Sequence, residues 1–163
     1  VQCAQLLQYP WRAEKLCAAL AEKVRALGAE TDMVVSPAMG GVIVGYEMGR
    51  QLGVPAVFFE RVDGAFTLRR DFSIPAGARC LMVEDVVTTG LSSRECIAAA
   101  RTAGGQVTAA ACLVDRSGGR AELGVPLVSL IALDAPAYDP DNLPPHLRDS
   151  PAIKPGSRTL GAA

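Results

Sequence analysis

The chain has 163 residues, half of them apolar and a fifth charged, with a formal net charge of -1. That length fits one α/β domain with a real core, and the composition excludes a disordered chain. Near-neutrality leaves no broad basic field, which argues against long tracts of nucleic acid as partners, although a local site can still hold a small anion.

Trp11 to Leu27 has helical periodicity, with Leu16, Leu20, Val24 and Leu27 on one face and Gly28 as a stop. Met33-Val34-Val35 is a short apolar strand ended by Ser36-Pro37. A helix follows over Val42–Leu52, in which Gly41, Gly45 and Gly49 recur at four-residue intervals, a spacing suited to close helix–sheet packing. Further apolar runs at Ala56–Phe59, Cys80–Val83, Val107–Val114 and Leu127–Leu133 bring the predicted strands to five, and Ser93–Ala103 forms a helix stopped by Gly104-Gly105. Continuous apolar strands alternating with helices imply an α/β fold, a mostly parallel five-stranded sheet with flanking helices. Ligands in such sheets bind beyond the carboxyl ends of the strands. From Ala135 to Ala163 prolines 136, 140, 144, 145, 151 and 155 break any periodicity, and Tyr138, Leu143, Leu147 and Ile153 favour an irregular cap. The expected organisation is one domain over 1–163, with a core at about 11–134 and a C-terminal cap at about 135–163.

Several chemistries lack material. Cys3, Cys17, Cys80, Cys96 and Cys112 are scattered, with no C-x-x-C pair, so a zinc site is not expected. An odd cysteine count without a signal peptide fits the cytoplasm. No apolar stretch approaches the roughly 20 residues needed to span a membrane. The only histidine, His146, lies in the proline-rich tail, which disfavours a histidine base or a Ser-His-Asp triad. Neither G-x-x-x-x-G-K-[ST] nor a strand-borne G-x-G-x-x-G is present.

What remains is Leu81-Met82-Val83-Glu84-Asp85-Val86-Val87-Thr88-Thr89-Gly90-Leu91-Ser92-Ser93-Arg94-Glu95. A buried strand delivers two acids to the sheet edge, a hydroxyl-rich turn follows, and a helix begins, with Ser92 and Glu95 spaced as a capping box. Backbone N–H groups, the helix dipole and the hydroxyls of Thr88, Thr89 and Ser92 suit a phosphate monoester. Glu84 and Asp85 suit the vicinal hydroxyls of a ribose or a hydrated magnesium ion.

At these residues the chain resembles the type I phosphoribosyltransferases. Glu84 to Gly90, followed by Leu113-Val114-Asp115-Arg116, resembles the orotate branch of that family, as do Ser36 to Gly41, Phe59-Glu60-Arg61 and Lys154 to Arg158. The resemblance implies transfer of phosphoribosyl from phosphoribosyl pyrophosphate to orotate, giving orotidine 5'-monophosphate and pyrophosphate, in a cytoplasmic homodimer. It assigns the donor to Glu84, Asp85, Val86, Val87, Thr88, Thr89, Gly90, Leu91 and Ser92, with Ala38, Met39 and Gly40 in a pyrophosphate loop over Ser36–Gly41. It assigns orotate to Thr88 and Arg116, and catalytic roles to Asp85, Glu84 and the loop arginines Arg61, Arg69 and Arg70. Magnesium would be held mainly by donor and water near Asp85, with no direct protein site. Family members carry lysines and a histidine in a mobile loop, here about 61–71, where this chain has arginines. They also carry an N-terminal hood with a Ser-Gly-rich motif; with Val1-Gln2-Cys3 at its start, this chain is expected either to have a shortened hood or to omit a leading stretch, with a small hood built from the chain ends. Two other readings stay open: a transferase for a purine base, separated by Asp115-Arg116, and a non-catalytic regulator that senses the donor.

Overall fold

The computed structural model describes residues 2–134, 138–148 and 150. Its frame is a six-stranded sheet in the order β3-β2-β1-β4-β5-β6, built from β1 (Met33–Pro37), β2 (Ala56–Val62), β3 (Ala65–Leu68), β4 (Arg79–Val87), β5 (Gln106–Asp115) and β6 (Leu127–Ala132). All neighbours are parallel except β2 and β3. The helices are α1 (Ala4–Leu7), α2 (Pro10–Ala26), α3 (Gly40–Leu52) and α4 (Leu91–Thr102).

The sheet has one strand more than the five expected. Asp63 and Gly64 both adopt positive φ, 49° and 85°, and join β2 to β3 with Val62 opposite Ala65. Asp-Gly is the dipeptide that a two-residue turn with both φ positive demands. Residues 61–68, expected as a loop, are therefore a hairpin whose β3 closes the sheet edge.

Two cores flank the sheet. On one face α1, α2 and α3 bury Leu7, Cys17, Leu20, Val24, Val44 and Met48 against Val34, Leu81, Val83 and Leu113. On the other, Cys96, Ile97 and Ala100 of α4 pack on Val35, Phe59, Met82 and Ala110. Leu27, expected on the packed face of α2, lies one residue past the helix and is exposed, because the buried stripe runs through Ala13, Cys17, Leu20, Ala21 and Val24.

The glycine stripe of α3 does what its spacing implies. A Cβ on Gly45 would stand 2.6 Å from the Ser36 hydroxyl, and one on Gly49 would stand 2.8 Å from Ala56 Cβ. Only hydrogen at these positions lets the helix lie this close on β1 and β2.

At the opposite end of the sheet, Arg79 at the start of β4 grips Asp32 just before β1. Its Nη2 and Nε donate to the two carboxylate oxygens at 2.6 and 2.8 Å, and its backbone N–H donates at 2.9 Å. The C-terminal segment contributes short 3-10 turns at Pro140–Asn142 and Pro145–Leu147. Residues 151–163, with the Lys154–Arg158 motif, lie outside the described residues, as do 135–137.

Candidate active site

The connection leaving β1 passes through α3 on one face of the sheet and that leaving β4 passes through α4 on the other, which makes the gap between these strands a topological switch point. Their pairing ends at Val35 and Met82. Beyond it β1 continues beside β2 to Pro37, and β4 continues beside β5 to Val87. The two carboxyl ends then run into separate connections, the place where open α/β sheets form their ligand crevice.

The first wall is the β1–α3 connection. The strand runs to Pro37 and the helix starts at Gly40, so the predicted loop over Ser36–Gly41 contracts to Ala38 and Met39, joined by a cis peptide bond. Ala38 N–H donates to Phe59 O at 2.8 Å, which anchors the connection to β2. Met39 and Gly40 are exposed.

The second wall is the end of β4. Alternation along the strand sends Glu84 and Asp85 to opposite faces. Asp85 faces α3: a Cβ on Gly40 would stand 2.7 Å from its Oδ1, so hydrogen at position 40 is what lets the two walls meet at this carboxylate. The same Oδ1 accepts from the Val86 N–H at 2.9 Å. Glu84 faces α4 and accepts a short hydrogen bond from the fully buried Ser93 hydroxyl. Burial raises both carboxyl pKa values. The Ser93 bond opposes the rise at Glu84 while Asp85 adds to it, and backbone N–H groups oppose the rise at Asp85.

The loop after β4 presents Thr88 and Thr89 to solvent, whereas Val87 is buried and can serve a ligand only through its backbone. The expected capping box does not form. Gly90, with φ of 74°, is the N-cap of α4, and no side chain caps the helix. A residue in the left-handed region leaves Ser92 inside the helix, where its hydroxyl cannot reach back as a cap. The first helical bond of α4 runs from Arg94 N–H to Gly90 O at 2.9 Å. The N–H groups of Leu91, Ser92 and Ser93 thus precede the ladder and point at the loop, with Leu91 N–H only 3.4 Å from the Thr89 hydroxyl.

Arg116 follows β5, its N–H donating to Val87 O at 2.8 Å. Among the described residues it has no salt-bridge partner. Asp115 beside it is occupied elsewhere, accepting from Ser117 N–H at 2.8 Å, the Ser117 hydroxyl at 2.6 Å and Gly119 N–H at 3.2 Å.

The loop arginines are engaged on the hairpin side. Arg61 donates to Gly64 O at 2.6 Å, stacks on Phe66 and pairs with Glu95 of α4. Arg70 donates to Glu60 at 2.9 Å, and Arg69 approaches the same carboxylate at 3.8 Å. The structure therefore brings together Ala38–Gly40, Glu84, Asp85, Thr88–Ser92 and Arg116, and holds Arg61, Arg69 and Arg70 in ion pairs. Sequence reasoning missed Ser93 and Glu95 as partners of named site residues. No local motif marks either contact.

The phosphoribosyl transferase domain family matches residues 4–130. The chain is 60% identical over 152 residues to an orotate phosphoribosyltransferase of Methylorubrum populi, covering 93% of this chain and 78% of that one. It is 60% identical over 155 residues to one of Phenylobacterium zucineum, covering 95% and 80%. Among solved structures, the orotate phosphoribosyltransferase of Aeropyrum pernix superposes with a TM-score of 0.68 at 28% identity, covering 82% of this chain and 78% of that one. Two acids at the end of β4 and a hydroxyl-bearing start of α4 at the switch point, together with these matches over most of the chain, show that the chain belongs to the orotate phosphoribosyltransferases.

Proposed function

We propose that the chain transfers the phosphoribosyl group of phosphoribosyl pyrophosphate to orotate, forming orotidine 5'-monophosphate and pyrophosphate in pyrimidine biosynthesis. The observation that carries this reading is the closeness of Asp85 to Gly40, which joins the two walls of the crevice at one carboxylate. The 5'-phosphate sits on the Thr88–Ser92 loop, where N–H groups precede the α4 ladder and the helix dipole favours an anion. Asp85 and Glu84 accept from the ribose hydroxyls, and Ala38–Gly40 line the path of the departing pyrophosphate. Arg116 and Thr88 receive orotate, the guanidinium matching its carboxylate through directed hydrogen bonds.

No covalent bond to the protein is needed. Bond breaking at the anomeric carbon builds positive charge on the sugar and negative charge on pyrophosphate, so orientation and fixed electrostatics carry the rate. Arg69 and Arg70, released from Glu60, and Arg61, released from Glu95, supply cations to the leaving group. Magnesium fits the site as an ion bound chiefly by the donor, with the two half-buried carboxylates at the end of β4 able to meet its water shell. When bound it would neutralise charge on the pyrophosphate.

The protein acts in the cytoplasm as one domain over 1–163, and as a homodimer. Exposed Ile43 and Tyr46 on α3, which line an apolar groove of about 460 Å³ with Val42, Phe58 and Phe72, supply the surface for a second copy, with exposed Met39 just before the helix. Sedimentation of wild type and Tyr46→Glu tests this, the variant sedimenting as monomer. A wild type that stays monomeric at assay concentration contradicts it.

The reaction is tested by pyrophosphate release from the donor with orotate, adenine, guanine or no base. Release is expected with orotate alone. Arg116→Ala is expected to weaken orotate binding by about 1.5–3 kcal/mol, the usual worth of a charged hydrogen bond. Release driven by a purine, or an unchanged orotate KM in Arg116→Ala, contradicts the assignment.

A further inference from the structure

The hydroxyl-rich loop after β4 does not stand alone. Arg94, at the fourth position of α4, sends its Nη1 to two carbonyls at once, Thr89 O at 3.0 Å and Glu122 O at 3.2 Å. Thr89 belongs to the loop beneath the donor phosphate. Glu122 belongs to the β5–β6 connection, which begins at Arg116. Between them lies Gly90, where an added Cβ would meet Leu123 Cδ2 at 2.6 Å and Arg94 Nη1 at 3.1 Å. Leu123 is buried in the α4-side core. The two loops are thus joined at their roots by Arg116 N–H and Val87 O, and at their tips by one guanidinium.

A cation near a helix N-terminus opposes the dipole, so its placement here needs a compensating contact. The two carbonyls supply it. Guanidinium suits the task because its planar, permanently charged head fixes the direction of its N–H groups.

We propose that Arg94 is a positioning residue that fastens the donor-phosphate loop to the base-side loop, so that donor and orotate affinity depend together on one side chain bonded only to backbone carbonyls. This rests on the reading above that places donor phosphate on 88–92 and base at Arg116. With the bridge cut, Thr89 and Glu122 lose their shared donor and each loop samples conformations independently. Both ligands then have to order a loop that is ordered beforehand in the wild type.

The test is steady-state kinetics of Arg94→Ala and Arg94→Met on the full chain, with KM measured for donor and for orotate, alongside thermal melts. Arg94→Ala is expected to raise both KM values by about tenfold, the scale of one lost charged hydrogen bond, while kcat is retained. An unchanged KM for either substrate overturns the proposal. Should Arg94→Ala fail to melt cooperatively, Arg94→Met decides by the same criterion, since it keeps an apolar stem of similar length and has no donor for either carbonyl. Asp85→Asn run in parallel separates the two levels. If it loses activity while Arg94→Ala keeps both KM values, only the bridge fails; if Asp85→Asn is fully active, the site reading itself fails.

Discussion

Asp85 and Glu84 show how a residue's surroundings set its chemistry. Both are half-buried at the end of β4, and burial pushes both carboxyl pKa values up from the ordinary range. Ionised carboxylates accept from a diol and protonated ones do so poorly, so kcat/KM for the donor should fall as pH falls, with a midpoint above the usual carboxylate values of about 4. The stability consequence has the opposite sign. A folded pKa above the unfolded one means the native state binds the proton more tightly, so the cost of ionisation appears as pH rises through the unfolded and then the folded value. Asp85→Asn should therefore be at least as stable as wild type at neutral pH. An acid limb of kcat/KM at the ordinary carboxylate pKa would contradict the burial argument. The buried cysteines show the same desolvation, with the Cys17 and Cys112 thiols pushed up to about 12. As protonated thiols they are packing residues, not nucleophiles.

At this scale the sequence was most legible where chemistry is local. Two acids ending an apolar strand, followed by hydroxyls and glycine, identify their own context. The contacts that tune them come from elsewhere: Ser93 reaches Glu84 only because α4 folds back over β4, and Glu95 meets Arg61 only because a hairpin projects beside α4. No spacing rule encodes either pair.

Among the elements, α2, α3, α4 and the parallel strands were readable from their apolar patterns, whereas the four-residue α1 is too short to show one. The antiparallel β3 was passed over because likeness to a family loop outweighed the Asp63-Gly64 turn and the alternation of Phe66 and Leu68. The capping box failed for a related reason. Ser92 and Glu95 have the right spacing, but Gly90 already occupies the N-cap in a conformation that suits glycine best. The α3 stripe gives a prediction at this scale. Gly45→Ala puts a methyl 2.6 Å from the Ser36 hydroxyl and must lift α3 from β1. Overpacking of this kind costs about 1–3 kcal/mol, measurable by urea unfolding. Because α3 also carries Gly40 toward Asp85, the variant should raise the donor KM as well. Unchanged stability would show that the helix does not rest on this contact.

For the whole molecule, the strand order decides where function lies. Connections that leave β1 and β4 on opposite faces of the sheet make a switch point between them, and the residues named from sequence for the donor lie at and just beyond the carboxyl ends of these two strands. Although alternation of helices and strands leaves the strand order open, a parallel sheet with flanking helices was legible from it. The hairpin's position was not, since it depends on a non-local pairing of Glu95 with Arg61 and on stacking of Arg61 over Phe66. The ends of the sheet are specialised accordingly. Arg79 and Asp32 clamp the closed end, with the Asp32 carboxyl held far below its usual range chiefly by the Arg79 hydrogen bonds, while the open end keeps its carboxylates accessible to ligand.

The central claim is that one carboxylate, shared between the walls of that crevice, holds the phosphorylated pentose during transfer. Orotate-dependent pyrophosphate release by Asp85→Asn, set against wild type, with thermal melts of both, tests it most directly. The account predicts turnover lower by at least about a hundredfold, on the scale of a lost electrostatic contact to a transition state, with an undiminished melting temperature. Wild-type turnover in a folded Asp85→Asn protein would contradict it.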